Sequence, residues 1–316
     1  MCSYYGVKPQ VLRRSYKKFS SGFKEWEQKI HAEDYLIFPE NIGKHLSIDE
    51  VSLSQGELYT FITNKSGRGK KGSLVASVKG TLAKDIVFVL EKISLEKRLQ
   101  VEEITLDMAK NMESASKTAF PRARLVTDRF HVVKLAMEAL QHIRIKLRWE
   151  ELDKENKAIE EAKKKTIKYT PEELSNGDTP KQLLARCRYI LSKKTTDWTP
   201  SQQQRASLLF TKYPILKTAY EHTMHFRRIY EQKHLIHAKS LFQQWIEKTH
   251  NNELKTFYTV ANTVKHNLDN ILNFFINRNT NANAESFNSK IKLFRANLRG
   301  VVDTKFFLFR LHKLFA

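Results

Sequence analysis

The sequence predicts an α/β fold, a mixed sheet with flanking helices that is interrupted by a large all-α insertion. Three observations carry this reading. Residues 46–78 hold three apolar, alternating runs separated by short turn signals, the pattern of an antiparallel meander. Residues 101–128 then read strand, helix, strand, and the two strands end on acids, Asp107 and Asp128. Beyond Asp128 the spacing is helical almost to the C-terminus. A strand–helix–strand unit of this length delivers both carboxylates to one edge of a parallel sheet, where ligands of open α/β folds collect.

Taken in order, residues 8–30 read as a basic helix. Tyr16, Phe19, Phe23 and Trp26 form an apolar stripe among Arg13, Arg14, Lys17 and Lys18, a pattern more typical of core or interface than of a base-stacking platform. Residues 46–53 are the first strand, carrying Asp49 and Glu50. Adjacent strand residues point to opposite faces, so only one of the two is expected in a shared site. A Gln55-Gly56 turn leads to the strand 58–63. A basic, Gly-rich turn (64–72) leads to the strand 73–78. Residues 81–99 are expected as one helix, with Leu82, Ile86, Val89, Leu90 and Ile93 inward. Ile104 and Leu106 alternate up to Asp107, residues 108–119 are helical, Phe120-Pro121 closes that helix, and 123–127 is the next strand.

Residues 129–168 form a long helix, solvated where charge dominates after 148, and Asn176-Gly177-Asp178 breaks the run. Four helices follow (179–193, 200–212, 214–232, 234–249), with Thr199-Pro200 at N-cap and first-turn positions. Residues 253–277 are helical up to an Asn-rich loop, 277–283. The last helix starts near Asn283. Its packed face is Phe287, Ile291, Phe294 and Leu298, and a parallel row of Glu285, Asn288, Lys292 and Arg295 turns away from that face. The resulting divisions are a basic helical segment (1–44), the first part of the core (45–135), the all-α insertion (136–280) and the C-terminal helix of the core (281–316).

Lys plus Arg number 55 against 34 Asp plus Glu, a formal charge of +21. Such an excess favours a polyanionic partner, nucleic acid or an anionic membrane. No stretch is apolar enough to span a bilayer and no hydrophobic signal core is present, so DNA and a cytoplasmic, nucleoid-associated location are expected. Cys2 and Cys187 alone exclude both a disulfide framework and a Cys-based zinc site. An acid after a strand most often caps the next helix. A third acid-bearing strand and Glu285 in a basic helix move the balance toward a site. A carboxylate sharing a row with an amide and two cations suits a place where metal meets phosphate, although a solvated charge face has the same spacing.

The order of elements is that of an RNase H-like fold. The stretches Asp-Arg-Phe-His-Val-Val-Lys (128–134) and Ala-Glu-Ser-Phe-Asn-Ser-Lys-Ile-Lys (284–292) resemble DDE transposases of bacterial insertion sequences. Asn-Gly-Asp-Thr (176–179), Leu-Ala-Arg-Cys-Arg (184–188) and Trp-Thr-Pro-Ser-Gln (198–202) resemble that group's insertion region. The likeness runs from about Ser47 to the C-terminus. It implies metal-dependent cleavage at element ends and strand transfer into target DNA, with Asp49, Asp107 and Glu285 as catalytic, metal-holding acids. Mg²⁺ is the expected ion, with Mn²⁺ substituting; Asp49 would bridge two ions that Asp107 and Glu285 flank. Asp128 and His131 resemble the pair following the second acid, and with Asn288 are expected to support the site or touch DNA. Lys290, Lys292 and Arg295 are expected on backbone phosphate, and a homodimer or higher synaptic oligomer is implied. Relatives usually begin with a zinc ribbon and helix-turn-helix, for which the residues before Asp49 hold too few cysteines. A separately encoded DNA-recognition protein is therefore expected, with the Tyr16–Trp26 stripe docking on it or on the chain's own core. An inactive or inhibitory remnant and a structure-specific nuclease are the alternatives. Trp198 reads as a hydrophobic staple or, less readily, a base-stacking residue, and Arg186, Arg188 and Arg205 as DNA-tracking or solvent-facing.

Overall fold

The computed structural model describes residues 6, 8–54, 56–251, 253–278 and 282–316; Gln55 of the expected turn and residues 279–281 of the Asn-rich loop lie outside the described residues. Strands β1 (Tyr35–Ile37), β2 (His45–Ser54), β3 (Glu57–Asn64), β4 (Leu74–Lys79), β5 (Glu103–Leu106) and β6 (Arg124–Thr127) form one sheet in the order β1-β4-β3-β2-β5-β6. The pairs β2–β3 and β3–β4 are antiparallel, and β2–β5 and β5–β6 are parallel. This is the mixed, RNase H-like sheet that the sequence predicts. Strand β1 was not expected: three residues are too few to display alternation, and it pairs antiparallel with β4 at the sheet edge.

Helix α1 (Pro9–Ser15) precedes the sheet, and α2 (Ala83–Leu90), α3 (Leu95–Leu99) and α4 (Lys110–Ala119) fall between its strands. The single helix expected over 81–99 is two, because Ser94 at the start of α3 takes extended backbone (ψ 142°). The helix expected over 8–30 is also shorter. It runs through α1 into a π turn at Tyr16–Ser20 and stops at Gly22, whose φ of +75° suits glycine. The apolar stripe is therefore divided: Phe19 is 72% exposed and Tyr16 45%, while Phe23 and Trp26 are buried.

After α4 come α5 (Arg129–Lys164), α6 (Pro180–Arg186), α7 (Pro200–Lys212), α8 (Pro214–Ile229), α9 (Leu235–His250), α10 (Tyr258–His266), α11 (Leu268–Leu272) and α12 (Phe274–Asn277), then α13 (Ala282–Asn297) and α14 (Thr304–Phe315). Helix α14 lies beyond what was expected to be the last helix. Two units result, one of Met1–Asp128 with Asn277–Ala316 and one of Arg129–Ile276.

In the first unit the sheet is covered on both faces. Leu46, Ile48, Ile62 and Ile104 pack with α2 and α4, including Ile86, Leu90 and Met112. Val51, Leu53, Tyr59 and Phe61 pack with Phe287 and Ile291 of α13, Phe306 to Leu311 of α14, and Phe23 and Trp26. The ring of Phe23 stands edge-on to Phe306 at 5.2 Å and Trp26 to Phe309 at 5.2 Å. Lys17 pairs with Asp303, which also caps α14 by accepting from the Phe306 N–H. Burial alone would raise the Asp303 carboxyl, but the Lys17 ammonium and that N–H hold it below the usual range. Half of the N-terminal stripe thus belongs to the core.

The second unit is all α. Its breaker residue Asp178 is fully buried and pairs with Arg186 and with Arg205 at 3.3 Å, so both arginines are engaged inside the insertion. Arg188 is exposed beside the Tyr189 ring. Burial pushes the neighbouring Cys187 thiol up to about 12, leaving it protonated and inert. Trp198 donates its indole N–H to Ile190 and packs on Phe210 and Tyr220 ahead of the Thr199 capping box, in the manner of a staple.

Phe23→Ala or Trp26→Ala is expected to cost about 3 kcal/mol of stability, as aromatic truncation in a packed core does. Chemical denaturation reads this, and a change under about 0.5 kcal/mol would mean that the segment is not part of the fold. The insertion carries a pH signature in His222, which is buried, stacked on Trp245 at 4.4 Å, and hydrogen-bonded to Thr249 at 2.7 Å. Burial, then the nearby Lys248 and His225, lower its pKa to about 4. The unfolded chain binds this proton below pH ~6.5 and the folded chain does not. Stability is accordingly full above that pH and declines toward pH 4, on the order of 3 kcal/mol in all. His222→Gln should flatten this part of the stability–pH curve, measured by denaturation between pH 7 and 4.

Candidate functional site

Three parallel strands set out the site. In the parallel pair β2–β5, Ser47 is in register with Thr105, and in β5–β6 Leu106 is in register with Thr127. Carried forward, the same register sets Asp49 beside Asp107 and Asp107 beside Asp128. Side chains alternate along each strand. Ile48 and Ile104 belong to the α2/α4 side and Val51 and Leu53 to the α13/α14 side. Asp49 and Asp107 therefore share the face on which α13 lies.

Asp49 and Asp107 are both half-buried. Asp49 Oδ1 accepts from the Glu50 N–H at 2.8 Å, and its Oδ2 accepts from Asn288 Nδ2 at 2.5 Å. Asp107 Oδ1 accepts from the Ala109 N–H at 2.8 Å, the local turn that introduces α4. Asp107 thus makes a local turn ahead of the helix rather than capping it, since the N-cap of α4 is Ala109 with no side-chain cap. Asp128 is 2% exposed; that burial fits support of the site and gives it no surface from which to touch DNA. His131, in the first turn of α5, is half-buried.

Helix α13 runs alongside β2. Asn288 reaches Asp49, and Arg295 Nη1 donates to the Ser52 carbonyl at 3.0 Å. Seven helical residues rise about 10 Å and three strand residues advance about 10 Å, so helix and strand keep step. The row of Glu285, Asn288 and Arg295, expected to turn away from the packed face, in fact lies along the sheet at Asn288, which is 8% exposed, and at Arg295. Helical periodicity gives two parallel rows and does not say that both meet the protein. Glu285 is exposed in the first turn, one turn before Asn288 and on its side of the helix. Among the described residues no three His, Cys, Asp or Glu side chains stand together as a metal-holding group. The three expected acids thus share a neighbourhood without closing into a ligand set. Lys290 Nζ donates to the Gly69 carbonyl at 2.5 Å, whereas Lys292 is exposed.

One residue was set aside too quickly. Alternation puts Glu50 on the face opposite Asp49, yet Glu50 lies close enough to both aspartates for their charges to act on it. The Glu50 carboxyl is held above the usual range by burial first, then by the negative charges of Asp107 and Asp49. The position of Asp107 just beyond a short strand was the available signal. A second missed residue is Lys65, 8% exposed, whose ammonium bonds the Thr105 hydroxyl and lies 3.7 Å from Glu103. No helix of the described residues is long and apolar enough to cross a membrane.

A set of hard oxygen donors on adjacent strands, close enough that two of them hold the Glu50 carboxyl up, is chemistry suited to a divalent cation. No curated protein matches this one. A family model described as a transposase, DDE_Tnp_ISL3, matches residues 46–311. With almost the whole of its length matched, this chain belongs to the DDE_Tnp_ISL3 family of transposases.

Proposed function

We propose that this transposase cleaves DNA at the ends of its insertion sequence and joins the freed 3′ end to target DNA, using divalent ions held by Asp49, Asp107 and Glu285. The observation that carries the reading is the parallel register that sets Asp49 beside Asp107, with α13 fastened to Asp49 through Asn288. Bound Mg²⁺, or Mn²⁺ in its place, supplies charge neutralisation at the attacking and leaving oxygens. The chain's own residues do the rest. The Glu50 N–H and Asn288 hold the Asp49 carboxylate in one orientation, and the turn to Ala109 does the same for Asp107. Glu285, exposed one turn from Asn288, has the reach to swing toward Asp49 when a cation draws it.

Lys292 is the cation of α13 offered to backbone phosphate, giving sequence-independent, salt-sensitive affinity. Lys290 and Arg295 instead fasten the helix to the sheet through main-chain carbonyls. DNA, element ends and target alike, is the substrate, and a synaptic dimer or larger oligomer is the expected assembly.

Asp49→Asn, Asp107→Asn and Glu285→Gln should each reduce nicking and joining of a terminal-repeat oligonucleotide by roughly three orders of magnitude or more. Binding to the same DNA should stay within a few-fold. Near-normal Mg²⁺-dependent cleavage by any one variant would remove that residue from the site. Lys292→Ala should weaken DNA binding and reduce the slope of log affinity against log salt by about 1, while Arg295→Ala should lower the melting temperature. The opposite pattern, salt slope lost with Arg295 and stability with Lys292, would reverse the assignment.

A further inference from the structure

The buried charges beside the aspartate row have no place in the chemistry above. Glu103 is 1% exposed, Asp128 2% and Lys65 8%. Two buried carboxylates need a counter-charge close by. Lys65 provides one for Glu103: its ammonium is 3.7 Å from Glu103 Oε1 and bonds the Thr105 hydroxyl. Glu103 is held again within the first unit by Asn277 Nδ2 at 2.9 Å. Glu103 and Thr105 are the residues of β5 that share the face of Asp107, four and two positions before it.

Lys65 also begins the tight turn between β3 and β4. Within it Asn64 accepts from the Ser66 N–H at 3.0 Å, and Gly67 is packed so closely that a Cβ would lie 2.4 Å from the Ser73 hydroxyl. Two residues on, the Gly69 carbonyl accepts from Lys290 of α13. One connection therefore grips β5 through Lys65 and the helix of Glu285 and Asn288 through Gly69.

We propose that Lys65 is a positioning residue of the metal site, an internal cation that holds the end of β5 through Glu103 and Thr105 so that Asp107 stands in place before any divalent ion arrives. The inference rests on Asp107 being a metal ligand. Removing Lys65 alone strands the buried Glu103 carboxylate, so Lys65→Met is expected to fold poorly. The double variant Lys65→Met with Glu103→Gln removes the pair together, and replacing both members of a buried ion pair is often tolerated. Thr105→Val removes only the hydroxyl that Lys65 holds.

Mn²⁺ binding to the full chain, read from the electron paramagnetic resonance signal of free Mn²⁺, tests this without any DNA. The double variant should keep a melting temperature within a few degrees of the parent and bind Mn²⁺ at least tenfold more weakly; Thr105→Val should weaken it several-fold. Unchanged Mn²⁺ affinity in a folded double variant overturns the role of Lys65 and leaves the metal site standing. Binding that is absent in the parent chain, or identical in Asp107→Asn, overturns the site and this inference with it.

Discussion

The hydrogen bond from Asn288 to Asp49 is the contact on which the rest of the first unit depends. It joins the last quarter of the sequence to strand β2, across the whole helical insertion. Helix α13 has its apolar row, Phe287 and Ile291, in the core, and that burial alone holds it against the sheet. Burial is not directional, however, and leaves the helix free to slide. Asn288 on Asp49, Lys290 on Gly69 and Arg295 on Ser52 remove that freedom. The register between a helix and a strand is what places the turn bearing Glu285.

The same logic explains how a family with such a large insertion keeps its site. The parallel ladder β2–β5–β6 lies wholly within the first unit and sets Asp49, Asp107 and Asp128 side by side. The insertion has its own buried centres, in Asp178 with its two arginines and in the aromatic packing around Trp245. Each unit holds together by its own interior. The N-terminal segment, which precedes the family match at residue 46, joins the first unit through Phe23 and Trp26.

Much of this was legible in the sequence, and the failures have physical causes. Strands β2 to β6 and the helices between them followed from alternation and turn residues, because a sheet buried on one or both faces writes its period into the chain. Strand β1 was too short to do so. The helix over 8–30 was overcalled because the spacing of Phe23 and Trp26 continues that of Tyr16 and Phe19, while Gly22 decides where the backbone turns. Asp49 and Asp107 were legible as acids at strand ends. Glu50 and Lys65 were not, since coupling across a strand end and burial of a lysine both depend on neighbours distant in sequence. The row of Glu285, Asn288, Lys292 and Arg295 was visible, but its division into two residues that clasp the sheet, Asn288 and Arg295, and two that face solvent was not.

The most direct measurement of the central claim is anomalous scattering from crystals of the protein grown with Mn²⁺ and its terminal DNA. The account predicts Mn²⁺ between Asp49 and Asp107, with a Glu285 oxygen drawn in to bonding distance, roughly 2.2 Å. Manganese bound elsewhere, or bound at the aspartates with Glu285 still turned to solvent, would contradict it.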